Sequence, residues 1–264
     1  MSTDRTAINL EARVNFTNPT EYAAHIPYFN IHILNNGSVI GDATARSLNV
    51  IPGNNTNVLI QATWNPTGFG GEKATKIGRE LLSQYISGFN TTLTFQTHEG
   101  SIPNQAGLGK ALSKLAIEIP TPRLSTPRTG DGDGDDDGDG DHKPHFIQAA
   151  TFHVFSSTAQ FTLVSPLQHS TIYIENINAT ALYNHTEPVG MINYDLPFKV
   201  PPGISESPRL PVEVDYDSVG YEELRKALGG TLKLDARGTV GIRLGQWTDT
   251  VWYFGSGIGA SVRF

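Results

Sequence analysis

Ile8-Asn9-Leu10-Glu11-Ala12-Arg13-Val14-Asn15-Phe16 sets an apolar side chain at every second position and a polar or charged one between. Successive side chains of an extended chain point to opposite faces, so this period of two predicts a strand with one buried face. Asn18-Pro19-Thr20 ends it, because proline cannot donate to a ladder and restricts the residue before it. The same alternation returns at Phe29, Ile31 and Ile33, and Asn35-Asn36-Gly37 then predicts a tight hairpin turn into a strand from Ser38. After a break at Ile51-Pro52-Gly53-Asn54-Asn55, Val58, Ile60, Ala62 and Trp64 alternate again.

The period changes once in this half. Ile77, Leu81, Leu82, Tyr85 and Ile86 fall at helical spacing, with Gly88 placed as a C-terminal cap. Strand spacing resumes at Phe89, Thr91, Leu93 and Phe95 and again at Leu115, Ile117 and Ile119. Strands in series with one late helix predict an antiparallel sandwich and not a βαβ sheet.

Gly130 to Asp141 reads GDGDGDDDGDGD. Such a tract has no apolar surface to offset the entropy of ordering glycine or the repulsion among its aspartates, which predicts a disordered linker over 123–145. It separates two expected β-sandwich domains, 1–122 and 146–264. The second repeats the grammar of the first, with strands at 147–155, 171–183 (bending near Asn176 to Asn178), 196–200 and 210–214, and a short helix from Ser218 with Tyr221, Leu224 and Leu228 on one face. Strands follow at 232–236, 240–244 and 258–264. Pro19 matches Pro166, Gly41 matches Gly190, and Pro52-Gly53 matches Pro202-Gly203, so the chain reads as two copies of one module.

The formal net charge is −7. Seven aspartates lie in the tract alone, which leaves 19 acidic against 19 basic residues elsewhere. A neutral folded part lacks the overall basic footprint of a nucleic-acid-binding protein, so no nucleic-acid partner is expected. No stretch approaches the roughly 18 apolar residues that cross a bilayer. Cysteine is absent, which removes disulfides and thiolate chemistry. Asn-x-Ser/Thr sequons stand at Asn15, Asn36, Asn54, Asn90, Asn178 and Asn184. About three would arise by chance, so these six are candidate glycosylation sites and point to a luminal compartment.

No zinc-protease, phosphate-loop or nucleophile-elbow motif occurs, and no catalytic residue, metal site or cofactor is expected. Gly255-Ser256-Gly257-Ile258-Gly259 lies between strand-like stretches and reads as a bend or bulge. His142, His145 and His153 lack further ligands at defined spacing, and Asp215, Asp217, Glu222 and Glu223 read as charge compensation at a helix start.

Val14-Asn15-Phe16-Thr17-Asn18-Pro19-Thr20-Glu21-Tyr22 resembles the Asn-Pro-x-x-Tyr entry of late-embryogenesis-abundant group 2 (water-stress) domains, which are immunoglobulin-like β-sandwiches. HIPYFNIHIL (25–34), GRELLSQYISGFNTTLTF (78–95), YNHTEPVGMINYDLPFKVPPGISESPRLPV (183–212) and ALGGTLKLDA (227–236) resemble the C-terminal region of the fungal vacuolar membrane proteins typified by the yeast termination-of-autophagy protein. The resemblance implies two tandem sandwiches in the vacuole lumen or on the luminal side of its membrane, attached through a segment absent from this chain. It implies a non-enzymatic interaction or structural role in autophagy-related signalling, with a luminal protein as partner. The alternative it leaves open is a lipid-binding or lipid-transfer module, whose requirement is an apolar cleft in the sandwich.

Overall fold

The computed structural model describes residues 1–113, 115–121, 146–214 and 232–263. These divide into two compact units, one of residues 1–81, 91–113, 115–121 and 245–247, the other of 82–90, 146–214, 232–244 and 248–263. The expected linker and the helix from Ser218 lie outside the described residues.

The first unit is one curled antiparallel sheet. Its strands are β1 (Ser2–Thr3), β2 (Ile8–Asn18), β3 (Ala24–Asn35), β4 (Ser38–Val50), β5 (Gly53–Trp64), β6 (Thr92–Gln96) and β7 (Ala116–Pro120), in the spatial order β1-β2-β5-β4-β3-β6-β7. The Asn36-Gly37 turn carries positive φ at both residues, 46° and 72°, as a two-residue hairpin demands. The register sets one row straight across the sheet: Ile8 faces Trp64, Trp64 faces Gly41, Gly41 faces Ile33, Ile33 faces Phe95, and Phe95 faces Ile117. The alternation in each strand therefore assembles a single apolar face. Gly41 is small for a reason, since a Cβ there would stand 2.2 Å from the carbonyl oxygen of Thr63.

Helix α1 spans Pro66–Ile86, twice the length that the spacing from Ile77 predicts. Asn65 caps it by accepting from the Gly68 amide at 2.9 Å, and Pro66 takes the first helical position. Gly71, at φ 63°, kinks the first turns. Gly88 closes the helix as expected, at φ 76°, with its amide donating to Tyr85 and that of Phe89 to Gln84. A second helix, α2 (Ala106–Leu112), has no counterpart in the expectation.

The second unit is built on β8 (Ile147–His153), β9 (Thr158–Ser165), β10 (Ile172–Tyr183), β11 (Glu187–Tyr194), β12 (Phe198–Val200), β13 (Gly203–Glu206), β14 (Leu210–Pro211), β15 (Glu213–Val214), β16 (Leu232–Leu244) and β17 (Trp247–Arg263). The main path runs β13-β9-β8-β17-β16-β10-β11-β15. Three details depart from expectation. β10 runs straight through Asn176 to Asn178, with only a register shift between Ile174 and Asn176. β16 is one strand where two were expected. β8 and β17 pair in parallel, against the all-antiparallel expectation.

The two units share a pairing scheme. β2 with β5, β3 with β4, β3 with β6 and β6 with β7 recur as β9 with β13, β10 with β11, β10 with β16 and β16 with β17. Gly53 and Gly203, matched in the sequence, open equivalent strands at φ 79° and 83°. In the second unit Ser83 and Ser87 are buried, and their hydroxyls accept from the amides of Trp252 and Phe254.

Candidate apolar binding site

The inward positions of the second unit vary in size along its length. At one end Leu163, Ile174 and Val200 form a buried cluster, joined by Phe146, Phe161, Phe198, Ile172 and Ile242. Towards the middle the inward residues shrink. Ala181 faces Gly190 on one side and Ala236 on the other, Ala179 faces Ile192 and Gly238, and Ala150 faces Ala260. Small side chains on several adjacent strands leave space that the curled sheet cannot collapse to fill.

That space is a cavity of about 400 Å³, within the range of sites that hold small molecules. Its wall is almost wholly carbon, with Thr180, Tyr183, Ser207, Tyr253 and Ser261 the polar side chains that reach it. Most of these already have partners. The Ser207 hydroxyl accepts from the Phe161 amide and donates to the Pro208 carbonyl, Ser261 bonds Thr151 at 3.2 Å, and the Tyr253 oxygen accepts from the Ile147 amide. Burial pushes the Tyr253 phenol well above its ordinary pKa, so it stays neutral. A wall of this kind offers water too few hydrogen bonds to hold it.

Val154, Tyr183, Val189, Val212, Val214 and Leu232 also line the cavity and are each half-buried. A shallower groove elsewhere in this unit is made by Phe89, Trp252 and Phe254, where the Arg237 guanidinium already sits 5.0 Å from the Phe254 ring.

The residues singled out in the sequence fall as follows. All six sequon asparagines are exposed: Asn15 in β2, Asn36 and Asn184 at hairpin tips, Asn54 in β5, Asn90 after α1, and Asn178 in β10. His142, His145, Asp215, Asp217, Glu222 and Glu223 lie outside the described residues. His153 ends β8, and among the described residues no three His, Asp or Glu side chains gather as metal ligands. Among them, too, no helix is long and apolar enough to cross a membrane. Sequence reasoning missed the cavity, although Ala150, Ala179, Ala181, Ala236 and Gly238 at strand-inward positions carry its signal.

Residues 1–109 match the family model described as the Tag1-like fourth LEA-2 like domain, and residues 139–252 match the Tag1-like fifth LEA-2 like domain. The chain carries two Tag1-like LEA-2 domains. Successive domains of one family account for the shared strand pairing and the matched glycines, and the cavity belongs to the fifth-type domain. No curated protein matches the chain.

Proposed function

We propose that the fifth-type LEA-2 domain holds the apolar chain of a lipid in its interior cavity, and that the pair serves as a non-enzymatic lipid-binding or lipid-transfer module. The cavity carries this reading. At about 24 cal/mol per Å³, leaving such a volume empty would cost on the order of 10 kcal/mol, comparable to the whole stability of a domain. An apolar ligand removes that cost, while a signalling surface gives no reason for small residues on the inward faces of five strands. The exposed sequons support a place in the vacuole lumen, on the luminal side of the membrane, where the protein would bind lipid in an autophagy-related setting.

The test is native mass spectrometry and solvent extraction of the full chain from a fungal host, with glycans removed. The expected result is a stoichiometric lipid mass, lost in Ala179→Trp, which fills the cavity, with the variant still folded. A bare polypeptide mass, under conditions that keep lipid on a control protein, overturns the proposal and returns a protein-interaction role as the better account.

A further inference from the structure

β10 lines the cavity over its whole length, from Ile172 to Tyr183, and β16 lines it from Leu232 to Ile242. At about 3.3 Å per residue, the 12 residues of β10 extend for roughly 35 Å. A volume of about 400 Å³ spread along such a wall is a slot and not a round chamber. Its capacity follows from a simple scale. An apolar cavity of about 150 Å³ takes one benzene, so this one takes roughly sixteen carbons. That is the hydrocarbon of one fatty acyl chain. A second chain would double the requirement, and the fused rings of a sterol are too wide for a slot.

The chemistry of the wall separates tail from head. Among the described residues that line the cavity none is charged and none is a histidine. The Ser207 hydroxyl spends its hydrogen on the Pro208 carbonyl, and Ser261 is bonded to Thr151. A carboxylate or phosphate drawn inside would lose its hydration and meet no countercharge. The head therefore stays in water, and only carbon enters.

We infer that the ligand class of this cavity is a single unbranched acyl chain, carried by a fatty acid or a lysophospholipid, with diacyl lipids and sterols excluded. The inference rests on the lipid-binding function proposed above and narrows it. A diacyl lipid seats one chain only by leaving the other in water, which forfeits the gain of burying it. Ala181 helps to set the room available, because it lines the slot and faces Gly190 on one side and Ala236 on the other.

The experiment offers the delipidated full chain an equimolar mixture of saturated fatty acids from laurate to arachidate, palmitoyl lysophosphatidylcholine, dipalmitoyl phosphatidylcholine and cholesterol. Native mass spectrometry reads what binds. One single-chain lipid per protein is expected, favoured about ten-fold or more over the diacyl lipid and the sterol. The ratio of fatty acid to lysophospholipid tells which head the protein accepts. Ala181→Ile adds about three carbons to the wall and should move the favoured fatty acid from palmitate towards myristate and laurate. Ala236→Val, on the facing strand, should move it the same way by less; if neither variant folds, the selectivity of the unaltered chain decides. Preference for the diacyl lipid or the sterol, two chains per protein, or an unmoved chain length in the folded variants overturns this inference and leaves lipid binding standing. No bound mass of any class, under conditions that keep palmitate on a control protein, sinks both.

Discussion

His98 lies flat on His32, with ring centroids 4.1 Å apart and planes 13° from parallel. Asn30 fixes the protonation state of this stack. Its amide nitrogen donates to Asp42 at 2.6 Å and Thr44 at 2.8 Å, so its oxygen faces His98 Nε2 at 2.7 Å and makes that nitrogen the N–H. The other nitrogen, Nδ1, accepts from the Gly100 amide. A second proton would have to displace that bond and place a cation against the His32 ring. Burial first, and then His32, hold the His98 pKa below the ordinary 6.5, against an opposite pull from Asp42.

The sign of the resulting pH dependence follows. Below pH 6.5 the unfolded chain takes up a proton at this position that the folded one resists, so stability is fully present above that value and is lost as pH falls towards the folded pKa. An NMR titration should place the His98 midpoint below that of a model histidine, and His98→Gln should flatten the decline of the urea midpoint below pH 6.5. A midpoint at or above 6.5 would show that the stack does not resist protonation.

Two glycines of the second unit should respond oppositely to alanine. A Cβ at Gly238 would stand 2.3 Å from the Asn178 carbonyl oxygen and 2.6 Å from the Ala179 Cα, both backbone atoms of the paired strand. Gly238→Ala therefore forces β10 and β16 apart and should cost about 1–3 kcal/mol. Gly259 has nothing within 4 Å, and Gly259→Ala should be neutral or stabilise by up to about 1 kcal/mol, since glycine weakens a strand. Urea denaturation of both variants decides the matter, and equal midpoints would show that the β10–β16 spacing is loose.

Leu210 and Val212 are two residues apart but stand on different ground. Leu210 is fully buried and does not line the cavity, whereas Val212 is half-buried and forms its wall. Leu210→Ala should cost about 2–5 kcal/mol, because it opens a new void in packed surroundings. In lipid-free protein Val212→Ala should cost about 1 kcal/mol or less, as it widens a space already present. Comparable losses by calorimetry would mean that the Val212 side chain is packed and the cavity smaller than its lining residues imply.

Much of this fold is legible in the sequence because its causes are local. The alternation from Ile8 to Phe16, the Asn36-Gly37 turn and the cap at Gly88 each depend on a few adjacent residues, and the strand, the turn and the cap all form, but of the β2 face expected to be buried only Ile8 is, with Leu10 39% and Phe16 37% exposed. The first half of α1 was not legible. Gly68, Gly70 and Gly71 lower helix propensity so far that only the Asn65 cap and Pro66 mark its start. Gly255 to Gly259, read as a bend or bulge, lies inside β17 with Gly257 at φ 66°. The cavity fails for a different reason. Alternation says which face is inside, but whether inward volumes fill the interior depends on which strands meet, and Ala181 opposite Ala236 is a consequence of register.

Asp235 supplies the last prediction, because it is a carboxylate only 4% exposed on β16. One of its oxygens faces His185 Nδ1 at 2.6 Å and the other accepts from the Gly257 amide at 3.0 Å. The second contact holds Gly257, the one residue of β17 at positive φ. Asp235→Ala strands the Gly257 N–H in a half-buried site and should cost about 1 kcal/mol. Asp235→Asn keeps one acceptor oxygen and should cost less. Hydrogen exchange gives a local check, since the Gly257 amide should lose protection in the alanine variant and keep most of it in the asparagine one. Unchanged protection in Asp235→Ala would mean that the β17 backbone holds this geometry without the carboxylate, and that the buried charge is there for His185.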